Sequence, residues 1–299
     1  MYVVLGASGN TGQVVAKNLL ARQQKVRVVG RNSAHLQPLA AQGAELFVGD
    51  VTDPSALTKA FQTADSAYVM IPPNPTSNDP LDYEGRASNA IAAAVKNAGI
   101  KNVVSLSSIG ADKADRTGPV LGLHNLEQKL NQIDGPNILH LRAGYFMENT
   151  LPQVRTIRMA GSVIGPLRPD LKLSMIATRD IGAAAADALL SLDFRGKQTR
   201  ELLGQRDLDY TEIAAIIGKA IGKPNLGYVH APDDQVRSAM VQMGMSEKFV
   251  GLLLEMCASL NSGYMRALEP RTPRNTTPTS YETFVAESFV PAYQRQTAA

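Results

Sequence analysis

The sequence predicts an α/β protein: a doubly wound parallel sheet followed by a smaller, mixed C-terminal lobe. Three observations carry that prediction. Short apolar runs alternate with stretches of helical length from residue 2 to residue 141. The first run, Tyr2–Leu5, passes straight into Gly6-Ala7-Ser8-Gly9-Asn10-Thr11-Gly12, which opens a helical pattern. After about Asn149 the alternation stops. Strands alternating with such helices form βαβ units, and their right-handed crossovers collect ligands at the strand C-terminal ends.

The elements follow in order. Tyr2–Leu5 reads as a buried strand, and Thr11–Arg22 as a helix with Val14, Val15, Leu19 and Leu20 on one side. Lys25–Gly30 and Ala44–Val48 are the next strands, and Pro54–Phe61 is a short helix. A fourth strand, Ala67–Ile71, stops at Pro72-Pro73. Asp82–Ala98 is a long alanine-rich helix, Asn102–Leu106 a strand, Leu123–Ile133 a helix and Asn137–Leu141 a sixth strand. Beyond these, Gly161–Pro169 is turn-rich. Asp180–Ser191 reads as a helix begun by an acidic cap, and Tyr210–Ile221 as one capped by Thr211. Met240, Met243, Met245, Phe249, Met256, Tyr264 and Met265 form a stripe that suits a helical core or an adaptable lining for flat apolar ligands. The polar tail Arg271–Thr279 leads to a last short helix, Tyr281–Phe289. The expected division is a sheet domain over residues 1–150, with 178–192 packing back on it, and a mainly helical lobe over 151–299.

Composition excludes several function classes. One cysteine, Cys257, rules out an internal disulfide and a cysteine-rich zinc site. His35, His124, His140 and His230 are too scattered for a metal cluster. A net charge of +3 without any Lys/Arg block is far from a nucleic-acid-binding composition. No stretch reaches the ~18 apolar residues of a membrane span. The opening apolar run meets Gly6 too soon for a signal peptide. The expectation is a cytoplasmic protein with no nucleic-acid or membrane contact.

The loop carries the strongest functional signal. Gly6 permits a tight turn, Gly9 lets the backbone approach a pyrophosphate, and Gly12 lets the helix pack close to the sheet. Ser8, Asn10 and Thr11 are the expected polar neighbours of the phosphates. An acidic residue at the end of the second strand would hold a ribose 2′-hydroxyl. Here the chain reads Val28-Val29-Gly30-Arg31-Asn32. Arg31 can pair with a 2′-phosphate and no carboxylate repels it, so NADP(H) is expected over NAD(H). Asp50 is expected beside the adenine. Ile71 and Pro72 would carry the backbone over the cofactor, with residues 74–82 as a flap.

These stretches, with Ser105-Leu106-Ser107-Ser108, Leu141-Arg142-Ala143-Gly144-Tyr145-Phe146-Met147-Glu148-Asn149, Ile176–Gly182 and Thr276–Tyr281, resemble the NmrA-like family of atypical short-chain dehydrogenases/reductases. The resemblance spans nearly the whole chain. It implies a Rossmann-type NAD(P)-binding domain. It also implies one of two functions: NADPH-dependent reduction of quinones, azo dyes or triphenylmethane dyes, or NADP(H) sensing without catalysis and with a protein partner.

The Tyr-x-x-x-Lys pair of the superfamily is missing, because none of the nine tyrosines has lysine four residues on. Leu123 stands where related reductases often keep a lysine. Alcohol oxidation needs a base and is disfavoured. Hydride addition to a flat, electron-poor acceptor asks mainly for proximity and orientation. The preferred expectation is therefore an NADPH-dependent reductase of a quinone or similar conjugated acceptor. Ser107 and His124 are candidate proton donors. Tyr145 and Phe146 are expected to flank the nicotinamide, with Tyr145 a further catalytic candidate and Asn149 a polar contact. His140 and Cys257 read as core packing.

Overall fold

The computed structural model describes residues 1–295; the last four positions of the expected 151–299 lobe lie outside them. The chain runs β1 (Tyr2–Leu5), α1 (Asn10–Ala21), β2 (Val26–Gly30), α2 (Ser33–Ala40), β3 (Glu45–Val48), α3 (Pro54–Phe61) and β4 (Ser66–Val69). It continues through α4 (Pro80–Asn97), β5 (Asn102–Ser108), α5 (Val120–Asn131) and β6 (Asn137–Ala143). Then come β7 (Tyr145–Phe146), a 3-10 turn (Met147–Thr150), α6 (Gln153–Ala160), β8 (Val163–Gly165), β9 (Leu173–Ile176) and α7 (Thr178–Ser191). The remainder is β10 (Lys197–Leu202), β11 (Asp207–Leu208), α8 (Tyr210–Ala220), β12 (Tyr228–His230), α9 (Asp233–Gln242), α10 (Glu247–Asn261), α11 (Tyr281–Phe284), a π-turn (Val285–Phe289) and α12 (Val290–Arg295).

Seven parallel strands form one sheet in the order β10-β6-β5-β4-β1-β2-β3. Alternation along each strand sends Val4, Val28, Tyr68, Val104 and Leu139 to one face, where α1, α2 and α7 cover them. Val3, Val29, Val69, Val103 and Ile138 go to the other face, under α3, α4 and α5. Strand order reverses at β1, so the crevice opens at the C-terminal ends of β1 and β4. The second lobe has its own core around Ile157, Ile213, Ile217, Tyr281 and Phe289.

Two elements after residue 150 belong to the sheet layer. α7 packs on α1, where a Cβ on Gly182 would lie 2.6 Å from that of Val14. β10 pairs with β6 from Lys197↔Ile138 to Leu202↔Ala143. A division near residue 150 therefore leaves one strand of the sheet, β10, in the C-terminal segment. β10 escaped the sequence because Lys-Gln-Thr-Arg-Glu-Leu is polar, as an edge strand can be. α2 escaped because Pro38 interrupts it and its cap, Asn32, reads as loop.

Other local expectations need correction. The methionine stripe spans two helices, α9 and α10, broken at Gly244 and restarted by the Ser246 cap. Asp209, not Thr211, caps α8, in a reciprocal box with Glu212. Asp180 lies in the first turn of α7 rather than at its cap, Ala177, and accepts hydrogen bonds from the Thr279 N–H and hydroxyl. Within the stretch read as a flap, the Pro75 and Ser77 carbonyls accept hydrogen bonds from Ser246, the cap of α10. The tail returns to the sheet edge, where the Glu201 carboxylate accepts from the Leu268 and Glu269 amides. No helix among the described residues is long and apolar enough to cross a membrane.

Candidate functional site

Two cavities meet above the C-terminal ends of the central strands. The first, about 500 Å³, lies against the glycine loop. Gly6 turns with φ +63, where a Cβ would come 2.5 Å from the Met70 sulfur. Gly9 donates its N–H to the Gly6 carbonyl at 2.9 Å and sits at the N-cap of α1 with no side-chain cap. No acid lies in the first turn of that helix. Gly12 packs its bare Cα against the Gly6 carbonyl. The helix start thus offers backbone amides and a positive dipole end to an anion.

Gly6, Ser8, Gly9, Asn10, Thr11 and Arg31 all line this cavity. Thr11 does so with its hydroxyl already engaged, because it accepts from the Tyr68 hydroxyl at 2.9 Å inside the core. Arg31 is exposed at the end of β2 and makes no ion pair among the described residues. Asn32 is used as the cap of α2, accepting from the Ala34 N–H at 2.9 Å. Asp50 lies just behind the wall, whose lining here is Gly49 and Val51. Burial opposes ionisation of Asp50, but hydrogen bonds from Thr52 and the charges of Arg31 and Arg86 hold its carboxyl below the ordinary value.

The second cavity, about 610 Å³, is walled by both lobes. Met70, Pro72, Pro73, Leu106, Phe146 and Asn149 line both cavities and form the junction between them. Ile71, Ser107 and Tyr145 face the second cavity, together with Phe249, Met256 and Met265 from the methionine stripe.

The three catalytic candidates meet different fates. Ser107 lines the cavity but donates its hydroxyl proton to Glu127 at 2.5 Å. Glu127, 2% exposed, is gripped by Arg142 through Nε at 3.0 Å and Nη2 at 2.6 Å. Tyr145 shares a 3.2 Å hydrogen bond with the Tyr210 hydroxyl, and burial pushes its ionisation far up. His124 lines neither cavity, and its Nδ1 donates to the Ala111 carbonyl at 2.9 Å. Of the two core residues, His140 is buried with Nε2 on Asn131 at 2.9 Å. Cys257 is buried and its thiol is pushed up to about 12 by burial, an inert setting.

Sequence reasoning missed the Ser107–Glu127–Arg142 chain, whose members lie 15 and 20 residues apart. It also missed Glu148, which holds the start of α7 by accepting from the Thr178 amide and hydroxyl. Glu84 is a third omission, and it did leave a signal. It sits on the buried face of α4 with Tyr83, Ala87, Ser88 and Ile91, a carboxyl inside an apolar stripe. No group of three or more metal-binding side chains occurs among the described residues.

Comparison with known proteins identifies the class. The model of the NmrA-like family matches residues 2–284, and the chain belongs to that family. An NAD(P)H azoreductase of Xenophilus azovorans is 30% identical over 278 residues, which cover 92% of this chain and 93% of that protein. Quinone oxidoreductase 2 of Escherichia coli is 27% identical over 268 residues, 88% of this chain and 89% of that one. A crystal structure of the Escherichia coli NADPH-dependent quinone oxidoreductase complexed with NADPH superposes with a TM-score of 0.78 at 24% identity, covering 98% of this chain and 100% of that one.

Proposed function

We propose that the chain is an NADPH-dependent reductase of quinones or similarly flat, conjugated acceptors. The observation that carries this reading is the junction of the cavities. A glycine-lined groove suited to a dinucleotide opens, past Leu106, Phe146 and Asn149, into an apolar cavity suited to a planar ligand. The names of the azoreductase and quinone reductase relatives support the same class.

The groove fits the cofactor on its own chemistry. A Cβ at Gly9 would fill the space in front of the loop, 3.3 Å from the Gly6 carbonyl. In the proposed assignment Gly6, Gly9 and Gly12 shape the phosphate cradle, with Ser8, Asn10 and the Thr11 backbone at its rim. Arg31 takes a 2′-phosphate and selects NADP(H) over NAD(H). Asp50 borders the adenine end. Ile71, Pro72, Tyr145, Phe146 and Asn149 bound the nicotinamide end. When bound, the cofactor supplies a hydride. The protein supplies proximity and an apolar, water-poor cavity. Ser107 keeps a lone pair available to the cavity while its O–H donates to the Glu127 carboxylate. Tyr145 acts as wall, since burial holds its proton and its hydroxyl is paired with that of Tyr210.

The test is NADPH consumption by the purified chain against quinones, azo dyes and triphenylmethane dyes. At least one class should be turned over, faster with NADPH than with NADH. NADPH binding without turnover of any acceptor would overturn the reductase and favour the sensor.

A further inference from the structure

We infer that Glu84 is the proton donor of the acceptor cavity. Its carboxylic acid protonates the acceptor atom that gains an electron pair as the adjoining atom takes the hydride. The inference rests on the reductase reading.

Glu84 stands in the first turns of α4, only 8% exposed, and lines the second cavity. Its Oε2 is buried and has no hydrogen-bond partner. A buried polar atom left open is uncommon and asks for an explanation. α5 makes room for it: any side chain at Gly122 would collide with Oε2. Glycine there lets the carboxyl lie against the helix instead of being forced out to water.

The neighbouring ionisable groups are engaged elsewhere or exposed at the surface. Tyr83 donates to the Pro72 carbonyl at 3.0 Å. On α5, Glu127 is held by Arg142 and Ser107, and His124 by Ala111. Lys59 of α3 is exposed. Along the cavity, Lys172 pairs with Asp209 and Glu212, and Asp207 with Arg271 and Ser174. Arg266 lies exposed at the rim. No cation stands by to ionise Glu84, and burial pushes its carboxyl up to about 8. At neutral pH it therefore carries a proton, with Oε2 against Gly122 of α5 and the residue in the cavity lining.

The step balances for an azo acceptor. Hydride from reduced nicotinamide forms an N–H bond at one nitrogen, and the N=N π pair moves to the other. That nitrogen takes the Glu84 proton as the carboxyl O–H bond breaks, giving the hydrazo product. The carboxylate regains a proton from water. The nitrogen anion avoided here is strongly basic, whereas the phenolate left by quinone reduction is stable in water. The need for Glu84 should therefore be greater with azo acceptors.

The experiment compares the wild-type chain with Glu84→Gln, using methyl red and 1,4-naphthoquinone as acceptors. The variant should lose about 10²-fold in kcat with methyl red, the low end for general acid catalysis, and markedly less with naphthoquinone. KM for NADPH should hold. The wild-type methyl red rate should fall as pH rises through about 8, and the variant should lack that limb. Equal losses on both acceptors, or none, would overturn the inference; equal loss is what a packing role produces. A second measurement needs no cofactor. Isotope-edited infrared spectroscopy should show, in the wild-type chain and not in Glu84→Gln, a protonated glutamic acid at neutral pH that ionises only in mild alkali. Full ionisation at neutral pH would overturn the inference. A wild-type chain that turns over neither acceptor, nor any other, overturns the reductase reading and the proton donor together. Failure of the Glu84 role alone leaves wild-type turnover intact.

Discussion

The two halves of the cleft are built by opposite means. The 500 Å³ half is built around one glycine loop, the helix it opens, and the ends of β2 and β3, and is closed by Met70, Leu106 and Phe146. The 610 Å³ half is made of side chains drawn from distant segments, among them Glu84, Ser107, Phe249 and Met265. Backbone sites have little room to vary, because an added Cβ meets main chain, as at Gly12. Side-chain sites change with each substitution. Under the proposed function, cofactor binding falls to the glycine-loop half and choice of acceptor to the side-chain half.

The largest effect should come from breaking the adjustable half at its buried anchor. Glu127→Gln leaves Arg142 without its counter-charge, and removing one partner of a buried pair costs about 3 kcal/mol or more. Denaturant unfolding should show that loss, with NADPH affinity in the surviving folded fraction little changed. If NADPH binding collapsed as well, the halves would not be independent.

Next, Gly9→Asp puts a carboxylate where the pyrophosphate would lie. NADPH affinity should drop about 100-fold by calorimetry, roughly 2.7 kcal/mol, with the circular dichroism spectrum retained. Unchanged affinity would remove the loop from the proposed site. Arg31→Ala should raise KM for NADPH about tenfold, the scale of one exposed charge-assisted contact, and KM for NADH far less. A loss shared equally by both cofactors would cancel the 2′-phosphate role. The smallest effect is expected from His124→Asn, since His124 lines neither cavity. A change in kcat beyond about threefold would require the imidazole to reach the cavity by a rearrangement.

The same contrast explains what could be read in the sequence. The glycine loop, the first six strands and their helical crossovers are local, so spacing exposes them. Arg31 follows because it directly ends β2. Ser107 was readable as a cavity residue, but not the fact that its proton goes to Glu127, because that bond joins β5 to α5 across 20 residues. His124 looked as suitable as Ser107, and only the placement of Ala111 removes it. β10 is polar because it is an edge, and the carboxyl of Glu84 in the apolar stripe of α4 marks a buried group without saying that it borders a cavity. The walls contributed by Gly263–Ala267 depend on the tail being tied back through Glu201, a contact 67 residues long in sequence.

The most direct test of the two-part cleft is a crystal structure of the chain with NADP⁺ and a hydroquinone together. The account predicts the pyrophosphate on Gly9, the 2′-phosphate at Arg31, and the hydroquinone among Tyr145, Phe249 and Met265. The two rings should meet beside Leu106 and Phe146. Hydroquinone bound anywhere else, with that cavity holding only solvent, would contradict it.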